Sequence, residues 1–285
     1  IGEVDSTGYT LAALRAVPMA GRCYRELTGF HLQQDQARRL VRDCMPDSRG
    51  AMLPGLSPHA PYSVSADLMR AAAARTRSLA IHCAEVPAEQ QFLRTGGGAF
   101  ADLLGRLGRL PEGFVAPGCG AVRWLERLGV LRKGTQLVHC QELERGDAGR
   151  IASSGAAITV CPGTIDYFRR SAPPVLKWLR RGIPVAIGTD SRASNRGLSM
   201  RRELALASKL WPGLRPEELF SMATVCGGSA LNGPFGSLRR GRRADFVAVR
   251  AGTSWAETLA DFVYDQAPIE AVVLAGVLHR PSAKR

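Results

Sequence analysis

Paired cysteines are missing from this chain. Its seven cysteines are an odd number, and no two are spaced as Cys-x-x-Cys. A secreted disulfide framework draws on paired, regularly spaced cysteines, so a reduced, cytoplasmic compartment is expected instead. Cys83, Cys140 and Cys161 lie in apolar strand patterns, where cysteine acts as a small hydrophobe. Long apolar runs are missing too. None approaches the ~20 residues that span a bilayer, so no membrane partner is expected. No secretory leader pattern opens the chain, which begins at Ile1 rather than Met. No Gly-rich phosphate loop follows an early strand, which argues against an open doubly wound sheet. Internal repeats and low-complexity linkers are absent as well.

Acidic residues are outnumbered. The formal net charge is +13, from 38 basic and 25 acidic residues. That surplus invites a nucleic-acid reading, but the pattern does not support it. The basic residues are scattered, as in Arg38-Arg39, Arg180-Arg181 and Arg239 to Arg243, and no aromatic residues interleave with them. Arginine far outnumbers lysine, as a GC-rich coding bias would produce. A solvated basic surface is the simpler explanation, and no nucleic-acid partner is expected.

What is present is a regular alternation. With 285 residues and 45% apolar content, the chain suits one large α/β domain with a small appendage. Strands are expected at Gly2–Ser6, Arg22–Leu27, Ala51–Ser57, Leu79–Cys83, Gln136–Cys140, Ala157–Cys161 and Pro184–Thr189. Helical patterns follow each, including Gln33–Cys44 and Ser65–Thr76, the latter with Ser65 as cap. A long insertion from Pro87 to Lys133 carries helical patterns of its own. Regular βα alternation predicts a parallel sheet with helices outside it. Seven units are one short of a closed (β/α)8 barrel, so the first strand is expected upstream of Ile1. The expectation is a TIM-like barrel lacking its first strand over residues 1–232. Part of a small β-sandwich follows over residues 233–285, with strands at Phe246–Arg250 and Ile269–Leu278 and a turn at Gly276.

Four segments carry the chemistry: Ser57-Pro58-His59-Ala60-Pro61-Tyr62, Ile81-His82-Cys83-Ala84-Glu85, Leu137-Val138-His139-Cys140 and Ile187-Gly188-Thr189-Asp190-Ser191. Each follows an apolar run, and in a parallel barrel such strand ends converge on one mouth. His82 and Glu85 are three apart where a strand enters a loop. There an imidazole can ligate a metal while the carboxylate moves the proton of an activated water. A capping Glu beside a buried His is the competing explanation. His139 is open to a similar one, as a core histidine with a satisfied ring. Asp190 follows a fully apolar strand, where a carboxylate is costly unless paired or bound to a cation. His59 lies between two prolines that stiffen its loop, which suits a group that positions substrate. A loop histidine without a role explains it equally well. Cys161-Pro162-Gly163-Thr164 ends another strand at the same mouth, while Asp166, Tyr167 and Phe168 fit a substrate contact or a plain turn. His31 and His279 fall outside the pattern.

Together these segments resemble the amidohydrolase superfamily, in the branch of S-adenosylhomocysteine, methylthioadenosine and aminodeoxyfutalosine deaminases and triazine hydrolases. Gly236–Val249 resembles that branch's closing segment. The resemblance implies one divalent metal, zinc or iron, held by His82 and Asp190. It implies Glu85 and His139 as catalytic residues and His59 as a substrate contact. The implied reaction is hydrolysis of a non-peptide carbon–nitrogen bond, foremost deamination of an adenosine-type nucleoside. Guanine-deaminase-like or chlorohydrolase activity is the alternative within the branch, and a homodimer is compatible with it. The superfamily also takes two ligands from a His-x-His pair, and this sequence contains none. A catalytically silent barrel that only binds a small molecule or a partner is therefore the alternative outside the branch.

Overall fold

The computed structural model describes residues 1–45 and 50–279. From the start the chain alternates β1 (Gly2–Asp5), α1 (Thr10–Arg15), β2 (Gly21–Leu27), α2 (Gln34–Cys44), β3 (Met52–Pro58), α3 (Ala66–Arg75) and β4 (Leu79–Cys83). The insertion supplies α4 (Pro87–Thr95), α5 (Ala99–Arg106) and α6 (Ala121–Arg127). Next come β5 (Thr135–His139), α7 (Asp147–Ser154), β6 (Ala157–Val160), α8 (Pro162–Tyr167), α9 (Val175–Arg180) and β7 (Val185–Ile187). Helices α10 (Met200–Leu210), α11 (Pro216–Ala223) and α12 (Val225–Ala230) complete the large unit.

The seven strands form one parallel sheet in sequential order, β1 to β7. Sequential order with a helical crossover after each strand is the topology of a (β/α) barrel. Among the described residues β7 does not pair with β1, so the sheet is curled but not closed. Strands β4, β6 and β7 are short and largely apolar because both faces are covered, whereas β1 and β2 carry Glu3, Asp5, Arg22, Arg25 and Glu26. Helices pack outside them through Leu68, Ala72, Leu125, Ile151, Trp178 and Leu204, all buried. Ser65 caps α3 as expected, its hydroxyl accepting from the Leu68 N–H at 3.1 Å. Buried Arg22 ties the early strands to the end of α12. It donates to the carbonyls of Leu231 at 2.6 Å and Asn232 at 2.9 Å, and to that of Pro54.

The remaining segment forms a three-stranded antiparallel sheet of β8 (Phe246–Val249), β9 (Ile269–Leu274) and β10 (Val277–His279). Between its first two strands lies α13 (Trp255–Val263), whose Leu259 and Val263 are buried. The sequence reading made Ile269–Leu278 one strand with a turn at Gly276. It is a hairpin, turning through Ala275 and Gly276, both at positive φ, as a tight two-residue connection requires. No helix among the described residues is long and apolar enough to cross a membrane.

Candidate active site

The ends of β2 through β7 carry the polar side chains of the site. His82 lies in β4, and its neighbour in register on β5 is Val138, one residue before His139. The two imidazole rings lie nearly parallel, with centroids 5.5 Å apart. Past each strand end the chain turns sharply: Ala84, His139, Cys140 and Asp190 all have φ between +51° and +74°. Non-glycine residues adopt that region at a cost, and such positions concentrate where a side chain has to be aimed.

One ligand atom each from His82, His139 and Asp190 lies within 4.8 Å of the others. This is a donor set of two nitrogens and one carboxylate oxygen, which suits a borderline cation such as zinc or ferrous iron. A second group at the same mouth joins Glu26, from the end of β2, with His59 and again His82. Each ring has one nitrogen committed. His82 Nδ1 donates to the His59 carbonyl at 3.0 Å, which leaves Nε2 free to ligate. The Ser63 hydroxyl donates to the Ala60 carbonyl at 3.2 Å, so His59 Nδ1 donates to Ser63 Oγ at 2.6 Å. The tautomers follow from this network of partners.

Asp190 is fixed from two sides. Thr164 Oγ1 donates to its Oδ2 at 2.8 Å and Ser194 Oγ donates at 2.6 Å. Burial alone would raise this carboxyl. His139 and the bonds from Ser194, Thr164 and the Ser191 N–H outweigh it, and the pKa is lowered. Behind Asp190 stands Glu203, fully buried. It accepts from the Gly163 N–H at 2.6 Å and from Asn195 Nδ2 at 2.7 Å. Asn195 Nδ2 also donates to the Thr189 carbonyl at 2.6 Å, which pins the turn that carries Asp190.

Glu85 is not one of the clustered ligand atoms. Its Oε2 faces His139 Nε2 at 3.7 Å, and its Oε1 accepts from Arg170 Nη1 at 3.0 Å. The competing explanation of Glu85 as a loop cap is not what its side chain does. His139 is pushed down to about 4 by burial, against the pull of Glu85, so its ring is neutral at neutral pH. The contact with Glu85 is then a polar approach rather than an ion pair. Burial, and next the His82 ring, lowers His59 as well.

The structure thus brings His59, His82, Glu85, His139 and Asp190 to one mouth. It leaves His31 and His279 exposed and apart from it. Asp166 and Tyr167 lie in α8, with Asp166 3.6 Å from Arg202. Phe168 lies under the Arg170 guanidinium at 4.7 Å. Sequence reasoning placed Thr164 at this mouth but missed Glu26, Arg170 and Glu203.

The sequence profile of the amidohydrolase family matches residues 11–278. The chain belongs to the amidohydrolase family. Among curated relatives, the aminodeoxyfutalosine deaminase of Deinococcus radiodurans is 37% identical over 201 residues, covering 66% of this chain and 47% of that protein. A 5'-deoxyadenosine deaminase of Methanothermobacter thermautotrophicus is 27% identical over 256 residues, covering 85% and 56%. This amidohydrolase chain spans about half the length of the curated relatives it matches. Two solved structures share its fold. Helicobacter pylori aminofutalosine deaminase superposes with a TM-score of 0.80 at 20% identity, over 98% of this chain and 73% of that one. The zinc complex of an atrazine chlorohydrolase from Arthrobacter aurescens gives 0.75 at 21% identity, over 99% and 68%.

Proposed function

We propose that this amidohydrolase removes the 6-amino group of an adenosine-type nucleoside, with one zinc or ferrous ion held by His82 and Asp190. The observation that carries the reading is the gathering of His82, His139 and Asp190 at three strand ends, with the Glu85 carboxylate beside them but outside the cluster. The choice of nucleoside follows the relatives, several of which are deaminases of adenosine-type compounds. When bound, such a cation supplies Lewis acidity that lowers the pKa of water and polarises the attacked carbon.

The protein's own groups divide the remaining work. Water adds to the ring carbon bearing the amino group, a carbonyl forms there, and ammonia departs. Glu85 takes one proton from water and places it on the ring nitrogen, and the second proton, released as the carbonyl forms, is passed to the leaving amine. Arg170 pairs with Glu85 and keeps a counter-charge beside the carboxylate. His139, neutral and buried, orients the attacking water or polarises the attacked centre. Asp190, held by Thr164 and Ser194, offers a carboxylate to the cation and accepts a proton. His59 commits Nδ1 to Ser63 and keeps Nε2 for the substrate.

A panel of purified candidates tests the substrate class. The metal-loaded protein is expected to release ammonia from 6-aminopurine nucleosides. Ammonia from guanine alone, or chloride from a chlorotriazine alone, would replace the nucleoside reading with one of the family's other chemistries.

A further inference from the structure

We propose that Glu89 is the positioning residue for Glu85: its buried carboxyl holds the turn that aims the Glu85 side chain at His139. The inference rests on the reading of Glu85 as the proton-transferring group.

Glu85 belongs to no regular element. It sits between β4 and α4, directly after Ala84, which has φ +51°. A side chain at such a point has no helix or sheet ladder to fix it. The Glu85 N–H donates to Glu89 Oε2 at 2.9 Å, and the same carboxyl takes a bond from the Ala84 N–H. The Ala84 carbonyl in turn accepts from the Glu142 N–H at 2.8 Å, so the turn is clamped from both sides.

Ordinary helix capping does not account for this arrangement. Val86 is the N-cap of α4 and Pro87 opens the helix. A capping-box glutamate three places in would return to the N-cap N–H. Glu89 instead reaches past Val86 to the two residues before it. It is also 0% exposed, and its Oε1 has no hydrogen-bond partner. An orphaned buried oxygen is costly, and a solvated Ser or Asp cap would avoid that cost. Burial pushes the carboxyl up to about 8, so at neutral pH it accepts the two N–H bonds largely without a charge. A second fixed negative charge beside Glu85 is thereby avoided.

The test compares Glu89→Leu, Glu89→Asp and Glu89→Gln with Glu85→Gln in the metal-loaded protein. Leu removes the acceptor, Asp shortens its reach, and Gln keeps a neutral acceptor in place. Leu and Asp are expected to lower kcat by ~10–100-fold, the usual worth of such supporting groups, with KM and bound metal unchanged. Gln is expected to restore most of kcat. If Leu does not fold, the contrast between Gln and Asp decides. Hydrogen exchange at the Glu85 amide reads the same contact without turnover: slow in the wild type and Gln, fast in Leu and Asp. Equal protection in all variants overturns the proposal. So does a kcat loss that comes only with lost metal and a lower Tm, with Gln no better than Leu. A wild type that deaminates nothing, or a fully active Glu85→Gln, strikes the functional reading itself, while the exchange result still judges the contact.

Discussion

Glu85 and His139 face each other from adjacent strand ends, Oε2 to Nε2 at 3.7 Å. With His139 neutral, the pair holds one mobile proton site beside one polar neutral ring. Glu85→Gln keeps the shape and the hydrogen-bonding reach but cannot carry a proton. It is expected to retain bound metal and substrate affinity and to lose kcat by ~10²–10⁴-fold. Steady-state kinetics with metal analysis checks this. Loss of metal would make Glu85 a ligand, and an unchanged kcat would leave it without a role in proton transfer.

His82, His139 and Asp190 all lie within 4.8 Å of one another by their ligand atoms, but their replacement is expected to separate them. His82→Ala and Asp190→Ala should lose metal and activity together, because a donor has gone. His139→Asn should keep the metal and lose kcat. Metal content after dialysis reads the difference. A metal-free His139→Asn protein would move His139 into the ligand set.

The buried groups predict a dependence of stability on pH in the metal-free protein. Glu89 ionises near 4.5 when unfolded and at about 8 when folded. Between those values the fold keeps a proton that the unfolded chain has lost, so stability falls as pH rises. His139 works in the opposite sense. It titrates near 6.5 unfolded and at about 4 folded, so stability falls as pH drops through that window. The two slopes oppose each other at acidic pH, and above 6.5 the His139 slope fades while the Glu89 slope persists. Denaturant unfolding should therefore show a loss of ~2 kcal/mol between pH 6.5 and 8, at 1.36 kcal/mol per unit. Glu89→Gln should remove that loss.

Gly163 is the closest approach behind the site. A Cβ there would stand 2.2 Å from Asn195 Nδ2. Gly163→Ala should displace Asn195 from Glu203 and Thr189 and cost ~1–3 kcal/mol, as overpacking of a filled interior does. Urea unfolding measures it. A neutral result would mean that Asn195 swings away freely.

The strands and the histidine-bearing mouth were legible because both are written locally. Short apolar runs end in a residue that an apolar interior would reject, as at His82 and Asp190. The partners of those residues were not legible in the same way. Arg170 reaches Glu85 across 85 positions, and Glu203 reaches Gly163 across 40. Nothing in the local sequence marks Arg170 among 38 basic residues. Helix α8 was passed over because Cys161-Pro162 reads as a strand running into a turn. In the fold, Pro162 takes the first helical position, where its missing N–H costs nothing. Helix α13 carried a signal that the sequence reading passed over, a Ser254 cap before Leu259 and Val263. Glu89 also had a local signal, four residues after Glu85 in the first turn of a Pro-initiated helix.

Titration of zinc into the metal-free protein, followed by ammonia release from a 6-aminopurine nucleoside, tests the central claim most directly. The account predicts that activity rises in proportion to zinc up to one equivalent, yields one ammonia per nucleoside consumed, and vanishes on chelation. Ammonia release that persists after complete chelation would contradict it, as would a protein that binds no zinc at this mouth.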